Sequence, residues 1–284
     1  MFGKKTPIEK EWQNFLRREE MAVKRLSRPS EPFWEKKLQA VVPEGLQSKL
    51  ETAFYKAFQV ILENGTGAIE KTYSREKLEA EYKTRKYAAE LRPVRKNLAA
   101  GRRKAAAQNA AGVAGSFAEG AVLGVLGIGL PDIPIFLASV LRSLYTLALQ
   151  FGIDYEKPEE REFLLDIITL SLSRGEEFVG RDALMNRRIY ETVHRRGGRG
   201  AASRSGMLPG AASCAETAAP VSESSIRLAA RALSGELLYM KFLQGIPVAG
   251  LIGGVYDGIC MKRITDYAAL KMERRWLLEQ ERQR

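Results

Sequence analysis

The sequence predicts an all-α protein, a multi-helix globular bundle with a central glycine-rich apolar helix pair. Three observations predict it. Apolar residues recur at helical spacing in segment after segment. The stretch Ala105 to Gly152 is the least charged part of the chain, with Glu119 and Asp132 as the only charges between Ala105 and Leu141. A second apolar stretch, Phe242 to Tyr256, resembles the first half of that one. A chain of 284 residues that is 45% apolar can bury a core of ordinary size.

Near the N-terminus, Ile8, Trp12, Phe15 and Leu16 define a short amphipathic helix that ends at Arg28-Pro29. Residues 1–40 form a charged arm around it, and residues 41–284 form one helical domain. From Glu44, the residues Leu46, Leu50, Ala53, Phe54, Ala57, Phe58 and Ile61 share one helix face that stops at Asn64-Gly65. Phe54 and Phe58 are expected in the core, because aliphatics continue the stripe on both sides. Tyr73 to Lys104 is helical and strongly polar, interrupted near Arg92 by Pro93.

In the central stretch Gly112, Ser116, Gly120 and Gly124 recur every four residues, as do Gly250, Gly254 and Gly258 downstream. Small-residue stripes let helix backbones approach closely. The cost of glycine in a helix, about 0.8–1.0 kcal/mol each relative to alanine, calls for a tight partner. The two stripes are therefore expected to pack on each other. Asp132 is placed to cap the next helix, with Pro134 in its first turn. The apolar face of that helix is Ile133, Phe136, Leu137, Val140, Leu141, Leu144, Leu147, Ala148 and Phe151, and its narrow polar stripe is Ser139, Arg142, Ser143, Thr146 and Gln150.

Pro158, Glu159 and Glu160 open a further helix in agreement with the helix dipole. Another covers about Arg181 to Val193. Residues 194–224, rich in Gly, Ser, Ala and Arg, read as a flexible loop. Ser225 to Gln244 is helical. The last helix, about Ile259 to Gln283, buries Ile264, Tyr267, Ala268, Met272, Trp276 and Leu277, and its tail, charged in both signs, reads as a solvated end.

The net charge is +11. Residues 1–104 carry 24 Lys/Arg against 14 Asp/Glu, so nearly the whole excess lies in the first third. Lys83, Arg85, Lys86, Arg92, Arg95, Lys96, Arg102, Arg103 and Lys104 form a basic run leading straight into the apolar stretch. That order is the pattern of a segment that binds an anionic membrane surface. Nucleic acid is not the expected partner, since no reader motif occurs and aromatics do not interleave with the basic run.

Two cysteines, Cys214 and Cys260, make no disulfide framework, and the first residues lack the apolar core of a signal peptide. No uninterrupted apolar run reaches the ~18 residues a spanning helix needs. The glycine-rich stretch is read as a buried hairpin instead. The acids after Asp154 lack the pattern of a calcium loop. No metal and no cofactor is expected, and the lone His194 reads as neither base nor ligand. Arg142, alone on an apolar helix, needs a partner if it is buried. Asp132, Glu160 and Asp257 are the candidates, and with Arg142 they form the one polar cluster that the sequence offers as functional or structural.

Leu123 to Phe136 with its GLPDIP corner, Leu141 to Tyr145, Ala148 to Phe163, and Phe242 to Gly254 with its QGIPVAG turn resemble the EcsC family of bacterial proteins. The likeness covers about residues 8–280, and the 194–224 segment departs from it. The resemblance implies a mostly helical, cytoplasmic protein working at or near the membrane. The family takes its name from an operon encoding an ABC transporter, and no catalytic set comes with it. The expectation is therefore a non-enzymatic accessory protein on the inner face of the plasma membrane, with a link to an ABC transporter or to protein secretion. Its partners would be an anionic lipid surface, a membrane protein complex, or both. The alternative is a carboxylate-dependent enzyme acting on lipid or another membrane-proximal substrate.

Overall fold

The computed structural model describes residues 5–28, 45–104, 132–202, 221–243 and 254–283, and every regular element among them is helical. In chain order these are α1 (Pro7–Leu26), α2 (Leu46–Val60), a π-helical turn (Ile61–Gly65), α3 (Thr66–Glu70), α4 (Arg75–Leu91), α5 (Arg95–Leu98), α6 (Asp132–Gln150), α7 (Pro158–Leu172), α8 (Gly175–Ala202), α9 (Glu223–Leu243) and α10 (Gly254–Arg282). The all-α bundle is borne out. Gly112, Gly120, Gly124 and Gly250 lie outside the described residues, and with them the expected glycine-faced pair. Gly254 and Gly258 fall in the opening turns of α10.

Local chemistry sets most helix ends. Thr6 caps α1 in a complete capping box: its side chain accepts from the Glu9 N–H, and Glu9 reaches back to the Thr6 N–H. Pro7 follows at the first helical position, where its missing N–H costs nothing. Ser74 caps α4 by accepting from the Lys77 N–H. Pro93 forces Arg92 into extended backbone (φ −136°, ψ 91°), which ends α4 at Leu91. Pro158 opens α7 with Glu159 and Glu160 in the first turn.

α6 and α10 form the centre. α6 packs against α10, α4, α2 and α3, and α10 packs against α7, α6, α8 and α1. α9 lies across α2 and α7. All nine residues expected on the apolar face of α6 are buried, as are Phe54 and Phe58 on α2. Each such side chain contributes about 1.5–3 kcal/mol on leaving water, so α6 alone supplies a large part of the driving force. Among the described residues it is also the one helix long and apolar enough to cross a membrane, and 67% of that stretch is buried inside the protein.

Four expectations are corrected. The chain does not stop at Asn64-Gly65: it widens into the π-helical turn and continues to Glu70, with Thr66 Oγ1 donating to the Ile61 carbonyl across the wide turn (3.3 Å). The helix expected to end at Val193 runs on to Ala202, because glycine weakens a helix without forbidding it and no proline occurs before Pro209. Gly254 and Gly258 of the second glycine stripe belong to the same element as the last helix, α10. Finally, Gln150, expected on the narrow polar stripe and off the apolar face of α6, is buried with that face.

α6 ends in a Schellman motif. Ile153 N–H donates to Ala148 O (2.9 Å) and Gly152 N–H to Leu149 O (3.1 Å), with Gly152 at φ +70° and Ile153 buried. A Cβ at Gly152 would lie 2.2 Å from Tyr82 Cζ, so α4 packs directly over this turn. Gly152→Ala should therefore destabilise the protein by about 1–3 kcal/mol in urea unfolding, through both the left-handed backbone and the Tyr82 contact. Gly67→Ala is the control. Gly67 is helical with nothing near its added Cβ, so its substitution should be neutral or stabilising by up to about 1 kcal/mol.

Candidate functional site

Charged side chains inside the bundle are its most unusual feature. α1 lays Ile8, Phe15 and the half-buried Trp12 against the core, yet Glu11 and Glu19 on the same stripe are buried too. Lys271 of α10 has no exposed surface, and its Nζ lies 2.9 Å from Glu19, 2.7 Å from Asp182 and 2.8 Å from Asn186 Oδ1. Tyr267 donates to the same Asp182 (2.6 Å). Arg274 reaches the second oxygen of Glu19, and Arg18 of α1 forks onto Glu273 of α10 at 2.8 and 2.7 Å. Farther along α10, Arg275 forks onto Glu160 of α7 at 2.6 and 2.8 Å. Arg263 and Arg174 converge on Glu236 of α9. The sequence reading missed this seam and took the charges of α10 for a solvated tail.

Of the polar cluster expected from sequence, the described residues place Arg142 and Glu160, and these two do not pair with each other. Arg142 is half-buried on α6 and donates to Thr72, to Oγ1 at 2.8 Å and to the carbonyl at 3.2 Å. It thus supports the turn after α3 and pairs with no acid among the described residues. Glu160 spends both carboxylate oxygens on Arg275. α6 begins at Asp132 and α10 contains Asp257, but the side chains of these two lie outside the described residues.

The acidic loop before α7 has a cation, supplied by the chain itself. Arg75 lies within 2.5 Å of Glu156, 2.8 Å of Glu79 and 3.4 Å of Asp154, and its guanidinium sits over the Tyr155 ring. Tyr155 stacks on Tyr145 at 4.2 Å, shares a 2.6 Å hydrogen bond with Tyr73 and donates to Glu70. Burial is the first cause pushing the phenols of Tyr73, Tyr82 and Tyr145 up to about 12, and it raises those of Tyr155 and Tyr267 as well. Among the described residues no three His, Cys, Asp or Glu side chains gather as a metal site. His194 stacks on Tyr190 (3.9 Å), with Nδ1 2.8 Å from the Tyr190 carbonyl.

The basic run divides into two populations. Arg95 and Arg102 both pair with the buried Glu11, each at 3.3 Å. Arg85 donates to the Gln150 carbonyl (2.6 Å), Lys104 pairs with Glu81, and Lys86 lies 4.0 Å from Glu90. Burial lowers the pKa of Arg85 and, with Lys77 nearby, that of Lys104. In contrast, Lys83, Arg92, Lys96 and Arg103 are exposed and form no ion pair among the described residues. Exposed apolar side chains stand among the first three of these: Tyr87 (62% exposed), Leu91 (63%) and Val94 (44%).

A cavity of about 420 Å³ opens beside the Glu160–Arg275 pair, lined also by Phe163, Arg188, Ile189 and Thr192. Of its polar lining residues, Glu160, Arg188, Thr192 and Arg275 are engaged within the protein. Arg188 donates to Asp166 (2.5 Å) and to the Glu159 carbonyl, and burial raises the Asp166 pKa although Arg188 opposes it.

Removing one member of the Glu160–Arg275 pair strands a charge in the core. Arg275→Met should cost about 3–5 kcal/mol in equilibrium unfolding, and Glu160→Leu added to it should restore most of that loss. A double variant as unstable as the single one would show that the geometry of the pair, not charge neutralisation, carries the contribution. The tyrosines give a pH test. Their folded pKa lies above the unfolded value of about 10, so the neutral phenol favours the native state. That contribution is complete below about pH 10 and is lost as the pH rises toward 12. In a near-ultraviolet titration the phenolates of Tyr73, Tyr82 and Tyr145 should appear only near pH 12, and those of Tyr155 and Tyr267 no earlier, unless unfolding releases all five together. One uniform transition near pH 10 for all ten tyrosines would contradict the packing.

Comparison with known proteins bears on one property of this chain, its descent. No curated protein and no solved structure matches it. The EcsC protein family matches residues 8–277, spanning every helix from α1 to all but the last turn of α10. The helices that hold the charge seam and the basic run both fall inside that match, and the chain belongs to the EcsC protein family.

Proposed function

We propose that this chain is a non-enzymatic accessory protein that works on an anionic membrane surface, on the cytoplasmic face, in support of a membrane protein complex such as an ABC transporter or a secretion system. One observation carries the reading. Within a basic run of nine Lys/Arg, the fold neutralises or buries five and leaves Lys83, Arg92, Lys96 and Arg103 exposed without counter-ions among the described residues. Cations that the fold does not need for itself are available to an external anion. EcsC membership agrees with this placement, through the transporter operon for which the family is named.

An enzyme built on the predicted carboxylates has less support. Glu160 lines the cavity, but a carboxylate held at both oxygens by Arg275 is a poor proton acceptor.

Vesicle flotation tests the reading. The protein should float with phosphatidylcholine vesicles containing phosphatidylglycerol, and not with phosphatidylcholine alone. Each basic residue near such a surface contributes about 1 kcal/mol. Replacing Lys83, Arg92, Lys96 and Arg103 together by Gln should therefore weaken binding by about 4 kcal/mol, with helix content unchanged because these side chains hold nothing in the fold. Raising the salt should weaken the wild type in the same direction, since the Debye length shortens to about 3 Å at 1 M. No flotation with anionic vesicles at low salt would end the proposal.

A further inference from the structure

We propose that the corner joining α4 to α5 is a membrane-inserting tip, in which Tyr87, Leu91 and Val94 enter the bilayer interface while Lys83, Arg92 and Lys96 bind headgroup phosphates around them. This rests on the surface-binding reading above and goes beyond it, by naming the part of the molecule that leaves water.

The helical register isolates the patch. Leu78 and Ala89, the buried residues of α4, mark its core face. Tyr87 follows Leu78 by nine residues, which at about 100° per residue puts it half a turn round, facing directly away from the core. Lys83, Tyr87 and Leu91 succeed one another at i, i+4 and i+8 along that outer face. An outer face of a soluble bundle is ordinarily polar. Here its last two turns carry an aromatic and a leucine, each more than 60% exposed, and Val94 extends the apolar surface past the corner.

The corner is held in shape. Pro93 fixes the chain direction, and the Val94 N–H donates to Arg92 O at 2.7 Å. The Asn97 side-chain amide donates to both Ala88 O (3.0 Å) and Arg92 O (2.9 Å), stitching α5 to the carbonyl end of α4. Leu98 and Ala99 anchor the other side of the corner in the core. The apolar side chains are thus presented by a braced turn and cannot fold back to cover themselves.

The charges choose the occupant. Residues 83–104 hold nine Lys/Arg and one acid, Glu90, which lies beside Lys86. A protein partner would have to offer an apolar socket inside an acidic rim. A bilayer with anionic headgroups supplies both at once, with tyrosine in the headgroup layer where its amphipathic ring is favoured. Binding by two signals together, an apolar insertion and a basic patch, is also what stable reversible anchoring needs, since either signal alone is weak.

Leu91→Trp reports directly. On vesicles with phosphatidylglycerol its emission should shift to the blue relative to wild type and be quenched by brominated acyl chains, whereas Met21→Trp, on the exposed side of α1, should do neither. Tyr87→Ser, Leu91→Ser and Val94→Ser combined should lower partitioning at physiological salt at least tenfold while circular dichroism and the melting temperature stay those of wild type. If wild type floats but Leu91→Trp stays unshifted and the triple variant floats equally well, insertion is wrong and the electrostatic reading survives. If wild type does not float at all, both fall. A blue shift of Leu91→Trp that follows protein concentration without vesicles would assign the patch to a second copy of the chain and overturn the proposal.

Discussion

Lys271 sets the terms for the rest of the bundle. An ammonium with no exposed surface costs several kcal/mol to remove from water, and only close, well-directed anions offset that. Those anions come from different parts of the chain: Glu19 from α1, Asp182 from α8, with the Asn186 oxygen beside it. None of the three can move by one helical turn without stranding the charge. Apolar packing tolerates such slips, because one leucine replaces another at modest cost. The fork of Arg275 on Glu160 applies the same constraint to α7, and that of Arg18 on Glu273 applies it again to α1. Hydrophobic burial makes the helices associate, and the paired charges on α10 allow one register.

That division explains what could be read in advance. The apolar face of α6 was legible to the residue, because a single uninterrupted stripe leaves few alternatives. Pro93, Pro158 and Arg28-Pro29 marked helix boundaries for covalent reasons that tertiary structure cannot override. The buried seam was not legible, because a charge at a core position looks like a solvated one until its partner is known, and these partners lie 252 residues apart in the case of Lys271 and Glu19. A trace existed in α1. Glu11 and Glu19 fall three and eleven residues after Ile8, on the stripe that Ile8 and Phe15 define, and an acid on an apolar stripe asks for a buried cation. Arg142 stood out as a lone charge, and among the described residues its partners are a hydroxyl and a carbonyl of Thr72, groups that no charge pattern marks in advance.

Net charge needs the same care. The excess of +10 in residues 1–104 is not a surface potential, since Arg18, Arg95 and Arg102 spend themselves on the buried acids Glu11 and Glu273. The same pairs explain why α1 holds to the body of the protein: it is a polar seam as much as an apolar one. Exposed cations remain along α1, α2 and α4, and those near the end of α4 take their meaning from their neighbours. Exposed lysines on a helix are ordinary. Exposed lysines and arginines around three uncovered apolar side chains are not, because each such side chain left in water forgoes burial that the fold could have used.

Rigidity is the remaining step. An uncovered apolar group on a mobile loop costs little, since the loop can collapse onto the nearest apolar surface. Tyr87, Leu91 and Val94 lack that freedom: two belong to a capped helix, and the third is tied to it through Pro93 and the two hydrogen bonds of Asn97. Asn97 could have faced water at no loss. Instead it braces a turn whose apolar side chains have nothing to cover them within the described residues. Holding apolar groups outward in a fixed arrangement lowers the ordering cost when a partner surface arrives. Together with the cations beside them, that fixed arrangement is what the proposed insertion of this corner into a bilayer interface draws on.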